Sequence, residues 1–135
     1  MTHPSFLTAS LYVITGGGIG AWLRFVAGRL FTAGLGPVRA GNFPWATLTV
    51  NMLGSLAMGL LVGWLAGHGS HGEGTRLFVA VGLLGGFTTF SSFSLEMVLL
   101  IQRGQPGLAA IYAAASVIAG LTGLLAGLAI IRSVA

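Results

Sequence analysis

The hydrophobic positions of this 135-residue chain fall into four long runs, which short polar or glycine-rich segments separate. A helix that crosses a bilayer needs roughly 20 mostly apolar residues, and each run is long enough for one. Short connections place neighbouring helices antiparallel. The pattern therefore predicts an all-α membrane protein, in which residues 1–135 form one domain of four transmembrane helices at about 6–31, 44–66, 76–101 and 107–131.

The composition agrees with a protein that lies in the bilayer. Only 6% of the residues are charged, against roughly 25% in an ordinary soluble domain. The basic residues are single arginines scattered between apolar runs, whereas nucleic-acid binding expects them clustered on one face. Cysteine is absent, and the loop histidines His68 and His71 have no convincing metal-ligand spacing. No nucleophile–base pair is evident, so we expect no enzymatic activity.

The densest group of polar residues at membrane depth lies midway along the third run, in residues 82–96. Gly85-Gly86 followed by Thr88-Thr89 makes a poor continuous helix. A break there would free backbone groups, which are tolerated at depth only where they face protein or a cavity. Freed carbonyls can bind cations, and the following half-helix offers amides to anions. The alternative is a kinked packing helix whose hydroxyls bond back to carbonyls four residues earlier.

Three further polar residues in the spans each allow two interpretations. Asn51 could bind an anion through its amide or tie two helices together. Arg24 could extend to the membrane surface, which we favour, or attract anions to a vestibule. Glu96 could be a proton site, although we favour a place near the surface where it pairs with an arginine.

Aromatic residues recur every three positions in the same segment, at Phe87, Phe90 and Phe93. Periodicity alone favours packing for such a stripe. The alternative uses the positive edge of the ring, which can face an anion.

Small residues recur every four positions on two of the predicted helices. Such stripes let helix backbones approach closely in a membrane, and we favour packing within one chain over packing between subunits. The stripes are Ser55, Gly59, Gly63 and Gly67 in the second run, and Ala119, Gly123 and Gly127 in the fourth.

The arginines are nearly balanced between the two sides of the membrane, so the bias that sets orientation is weak. That balance permits an antiparallel dimer.

Three segments resemble, in order, the motifs of the small bacterial fluoride channels of the CrcB or Fluc family. They are Gly-Gly-Ile-Gly-Ala-Trp-Leu-Arg-Phe at 17–25, Pro-Trp-Ala-Thr-Leu-Thr-Val-Asn-Met-Leu-Gly at 44–54, and Gly-Gly-Phe-Thr-Thr-Phe-Ser-Ser-Phe-Ser-Leu-Glu at 85–96. Tyr112 and Ser116 match polar positions of the family's fourth helix. Gly120 departs from the pattern, because some members carry a serine there.

The resemblance implies a fluoride-selective channel that exports fluoride passively across the bacterial inner membrane. It also implies an antiparallel, dual-topology homodimer whose third helices are broken near their middle. A structural sodium ion at the dimer interface would be held by the backbone carbonyls of Gly85 and Thr88 from each subunit. The residues carried over to the fluoride pathway are Arg24, Asn51, Phe90, Ser91, Ser92, Phe93, Tyr112 and Ser116.

Two other functions compete with this interpretation. A small four-helix, proton-coupled drug exporter is also dimeric and weakly charged, but it would need a glutamate in the first span, where this chain has none. A membrane assembly or anchoring subunit would account for the small-residue stripes but not for the hydroxyl-rich third span.

Overall fold

A computed structural model describes residues 4–67 and 72–134, and these residues form helices joined by short turns. By length and composition, four of the helical segments are able to cross a membrane, which confirms the predicted all-α class with four candidate spans. His68 and His71 lie outside the described residues. We number the spans in chain order: Phe6–Leu35, Trp45–Ala66, Glu73–Gln102 and Pro106–Val134.

The span ends differ from the predicted ones where polar residues continue a helix. The first span runs on to Leu35 and stops at Gly36, whose φ of 78° suits glycine. A short helix, Pro37–Asn42, then leads to the second span. The third span begins at Glu73, where the Arg76 guanidinium pairs with the Glu73 carboxylate at 3.0 Å. Hydrophobicity could not mark these ends, because the added residues are mostly polar or small.

The third span changes its backbone conformation along its length. Thr88 and Thr89 are both extended, with φ/ψ of −80°/160° and −155°/126°. We call these two residues the break, since helical structure stops before them and resumes after them. In chain order the helical pieces of the span are Glu73–Thr75, a π-helix at Arg76–Leu84, Gly85–Phe87 and Phe90–Gln102.

The second and fourth spans pack directly on one another through small residues. A Cβ atom added at Gly59 would collide with the Leu124 carbonyl oxygen, and one added at Gly127 would collide with that of Leu56. Backbones this close leave no room for a side chain. At these positions the small-residue stripes pack within one chain, as predicted.

The first span packs against the leading half of the third in the same way. A Cβ at Gly20 would collide with the Leu83 carbonyl oxygen, and one at Gly86 would collide with that of Gly17. Gly16 and Gly20 are both buried. This contact fixes the first span directly beside the residues that precede the break.

Candidate functional site

The break is held from one side by Asn51 of the second span. The Asn51 Nδ2 donates to the Thr89 carbonyl at 3.1 Å, and the Thr89 amide donates to the Asn51 Oδ1 at 2.9 Å. In a continuous helix the Thr89 amide would instead donate to the Gly85 carbonyl. Of the two predicted roles for Asn51, the structure has the tie between helices. One carboxamide therefore replaces the helical bond of the Thr89 amide, adds a donor to the Thr89 carbonyl and leaves the Gly85 carbonyl without that helical partner.

The break is held from the other side by Arg24 of the first span. The Arg24 Nη1 donates to the Thr88 carbonyl at 3.1 Å. This oxygen lacks its usual helical donor, because the Ser92 amide donates to the Thr89 Oγ1 at 3.2 Å. The favoured interpretation of Arg24 was therefore wrong: its guanidinium turns toward the break and not toward the membrane surface.

The Thr88 hydroxyl bonds back to its own helix, as the kinked-helix alternative expects. Both the Thr88 Oγ1 and the Thr88 amide donate to the Leu84 carbonyl, at 2.9 and 3.0 Å. These bonds end the leading half of the span without leaving the Leu84 carbonyl unpaired. The chain thus combines a back-bonded threonine with an extended backbone.

An open groove of about 340 Å³ lies beside the break, between the second, third and fourth spans. It brings together four of the predicted pathway residues: Asn51, Phe90, Phe93 and Ser116. Phe90 is 79% exposed, and its ring centroid lies 5.7 Å from that of Phe93. The remaining lining residues are Gly54, Ser55, Met58, Thr88, Thr89, Val117, Gly120 and Leu124.

The groove is lined by side chains with hydrogen-bond donors and by two phenylalanine rings, and none of the described residues that line it is acidic. The Ser116 Oγ is buried and makes no hydrogen bond of ordinary geometry to the residues that the structure describes. Gly120 also lines the groove, whereas the nearby Thr122 hydroxyl donates to Ile118 of its own helix. This lining suits a small anion, because donors bind an anion directly and an aromatic ring can turn its positive edge toward one.

Ser91 and Ser92 lie outside the groove lining and belong to the start of the second half-helix. The Thr89 side chain caps that helix, since its Oγ1 accepts from the Ser92 amide. The Ser91 hydroxyl lies 3.2 Å from the same oxygen. Our sequence reasoning did not assign this role to Thr89. Its signal is a hydroxyl residue directly before a helix start, a preferred N-cap position.

Tyr112 lies beneath the groove and is fully buried. Its hydroxyl donates to the Glu96 Oε2 at 2.7 Å, and the Thr47 hydroxyl donates to the Oε1 at 2.7 Å. The Phe93 ring packs on Tyr112 with centroids 5.2 Å apart. The favoured pairing of Glu96 with an arginine was wrong, because hydroxyl groups from two other spans bind both of its oxygens.

Thr47 was not among the predicted site residues, although a signal for it existed. It lies four positions before Asn51, so both side chains share one helix face.

Glu96 also lines a second cavity of about 100 Å³ together with Arg103. The Arg103 Nη1 donates to the Gly41 carbonyl at 2.7 Å.

Comparison with known proteins finds one matching family model and several similar proteins that share a name. The family model described as "CrcB-like protein, Camphor Resistance (CrcB)" matches residues 11–128. A protein of Novosphingobium aromaticivorans named "Fluoride-specific ion channel FluC" is 61% identical over 129 residues, covering 96% of this chain and 100% of that protein. A protein of the same name from Sphingopyxis alaskensis is 54% identical, covering 89% and 92% of the two chains. "Fluoride-specific ion channel FluC 2" of Nitrobacter hamburgensis is 47% identical, covering 90% and 95%.

Proposed function

The chain belongs to the CrcB-like protein family, and from this membership we propose that it is a fluoride-selective ion channel. One observation carries the proposal. A relative named as a fluoride-specific ion channel aligns with 96% of this chain and with its own full length, at 61% identity. The family model covers residues 11–128, which include the whole of the second and third spans and the motifs around the break. We therefore treat the protein as a multi-pass membrane protein and its groove as the fluoride path.

The chemistry of the groove supports a path for a small, hard anion. Fluoride loses a costly hydration shell on entering protein, so each water must be replaced by a donor or a positive ring edge. The Asn51 amide has a second N–H beyond the one that binds Thr89. The Ser116 hydroxyl and the rings of Phe90 and Phe93, whose edges we assign to the anion, complete the set that lines the groove.

The predicted pathway residues outside the groove have supporting places in this proposal. The Tyr112 ring packs on that of Phe93, and we assign its hydroxyl, which donates to Glu96, to the polar groups that continue the path beyond the groove. Ser91 and Ser92 lie at the amide end of the second half-helix, which the Thr89 hydroxyl caps. A helix N-terminus favours an anion nearby.

The open side of the groove supports an antiparallel homodimer in which a second copy covers it. Phe90 is 79% exposed at the groove, which is unusual for an aromatic ring assigned to an ion path. The exposed arginines near the span ends are Arg29, Arg39 and Arg103 on one side of the membrane, and Arg76 and Arg132 on the other. So weak a bias is compatible with insertion in both orientations, which dual topology requires.

The residues before and in the break fit the sodium ion that the family implies. The Gly85 carbonyl has lost its helical donor to Asn51, and Gly85 is exposed. The Thr88 carbonyl points away from its helix toward Arg24. Carbonyls freed at a helix break are typical sodium ligands in membrane proteins. Once bound, the ion would supply a fixed positive charge beside the anion paths.

The physiological role that follows is passive export across the bacterial inner membrane. Fluoride enters cells as neutral HF, which dissociates inside and leaves the anion behind. A potential that is negative inside drives that anion outward by about 2.3 kcal/mol per charge for every 100 mV. An open, selective channel therefore lowers internal fluoride without a pump.

The drug-exporter alternative receives no support from these observations. Its coupling chemistry needs a carboxylate within the first span, and Phe6–Leu35 contains none. Glu96 is engaged by Thr47 and Tyr112.

Growth of a bacterium that lacks its own fluoride exporter tests the proposed role. We expect this chain to restore growth in fluoride-containing medium and to leave sensitivity to cationic dyes unchanged. The variant Phe90→Ile serves as the inactive partner, and Phe25→Ile, at another exposed ring, as the matched control. Resistance to dyes without resistance to fluoride would contradict the channel and favour the exporter.

A further inference from the structure

Arg24 is held at membrane depth by contacts of the first span. One turn before it, Gly20 lies against the backbone of Leu83 and Phe87 so closely that no Cβ would fit. The guanidinium is part-buried, and its Nη1 donates to the Thr88 carbonyl at 3.1 Å. Backbone packing therefore delivers this cation to one particular oxygen of the break.

The Thr88 carbonyl needs a donor that the rest of the break does not supply. Its helical donor, the Ser92 amide, is bound to the Thr89 Oγ1, and Asn51 is bound to Thr89 alone among the break residues. A carbonyl left unpaired in the bilayer interior is destabilising, because no water is there to bind it. Arg24 fills this need with a charged group.

A sodium ion at the same carbonyl would lie close to the guanidinium. The carbonyl has two lone pairs, so it can accept from Arg24 and bind an ion at the same time. However, two positive charges on one oxygen repel, and little water is present at this depth to screen them. The guanidinium thus stabilises the break and opposes the ion.

We propose that Arg24 is a positioning residue of the Thr88 carbonyl and that its charge competes with sodium for this oxygen. The competition rests on the sodium site of the proposed function. When sodium is absent, Arg24 alone pairs the carbonyl and preserves the extended backbone of the break. When sodium is present, the charge of the arginine weakens its binding to this carbonyl.

Sodium titration of thermal stability tests this role without measuring transport. The purified protein is melted in detergent while sodium replaces a bulky organic cation at constant ionic strength. We expect Arg24→Gln to lower the sodium concentration at half-maximal stabilisation by roughly tenfold or more, because it removes a like charge a few ångströms away. Arg24→Lys keeps the charge, and we expect its sodium requirement to stay within about twofold of the wild type.

Arg29→Gln is the matched control, because Arg29 lies on the same span and is exposed. An unchanged or raised sodium requirement in Arg24→Gln, or an equal shift in Arg29→Gln, would overturn the competition. Should Arg24→Gln fail to fold, the same titration is made with Arg24→Lys. A tenfold change in the sodium requirement of that variant would contradict a role of the charge.

The outcomes separate this inference from the channel itself. If wild-type protein releases fluoride from liposomes while its stability ignores sodium, the inference falls and the channel stands. If the Arg24→Gln shift is found in a protein that releases no fluoride, the inference stands and the channel falls.

Discussion

The Asn51 carboxamide and the backbone of Thr89 are joined by two hydrogen bonds, of 2.9 and 3.1 Å, between the second and third spans. The Asn51 side chain binds both the amide and the carbonyl of Thr89, as the backbone of a neighbouring β-strand would. A residue whose type suggests a ligand thus has a structural task as well. The extended backbone at the break depends on it.

Removing the Asn51 amide should destabilise the protein. Asn51→Ala leaves the Thr89 amide without its partner and removes one donor from the Thr89 carbonyl, and an unsatisfied buried polar group costs about 1–3 kcal/mol. Asn51→Asp keeps an acceptor for the Thr89 amide but in its ionised form has no donor for the Thr89 carbonyl, so at neutral pH or above its melting temperature should fall between those of the wild type and the alanine variant. Thermal unfolding in detergent checks this order. Asn42→Ala, at the exposed end of the short helix, should change little, and equal losses at both positions would argue against the tie.

The buried cluster around Glu96 gives a second prediction. Tyr112→Phe removes the hydrogen bond to the Glu96 Oε2, and a bond to a carboxyl group contributes about 1.5–3 kcal/mol if it is ionised. We expect a drop of several degrees in the melting temperature. Tyr12→Phe, at an exposed tyrosine of the first span, is the control. A Tyr112→Phe protein that melts with the wild type would contradict the cluster's contribution to stability.

Close packing of the second and fourth spans gives a third prediction. Gly127→Val places a side chain where the Leu56 carbonyl lies, and overpacking of this kind costs about 1–3 kcal/mol or more. Gly28→Ala is the control, because none of the residues that the structure describes comes within 4 Å of a Cβ at Gly28. An alanine in a helix interior is favoured over glycine by about 1 kcal/mol. The yield of folded protein and the melting temperature should fall for Gly127→Val and should stay the same or rise for Gly28→Ala.

Much of the architecture could be predicted from hydrophobic length and from residue size. Four apolar runs predict four helices without knowledge of their partners, and glycine at four-residue spacing predicts close backbones. The position of the break at Thr88 and Thr89 could also be predicted from the sequence, because two glycines followed by two threonines weaken a helix locally.

The partners of the polar residues could not be predicted in the same way. Whether Asn51 reaches Thr89, or Arg24 reaches Thr88, depends on the rotation and depth of two helices, which packing between distant residues sets. The interpretation of Arg24 failed for this reason, since a long side chain can extend toward the surface or inward. The interpretation of Glu96 was wrong for a similar reason, because hydroxyl groups from two different spans bind it in place of the expected arginine.

Anion efflux from liposomes that contain the purified protein tests the central claim most directly. Fluoride and chloride release are recorded side by side for the wild type, for Phe90→Ile and for the control Phe25→Ile. The account predicts rapid fluoride release without chloride release, lost in Phe90→Ile and kept in Phe25→Ile. Folded wild-type protein that releases no fluoride, or that releases chloride equally well, would contradict it.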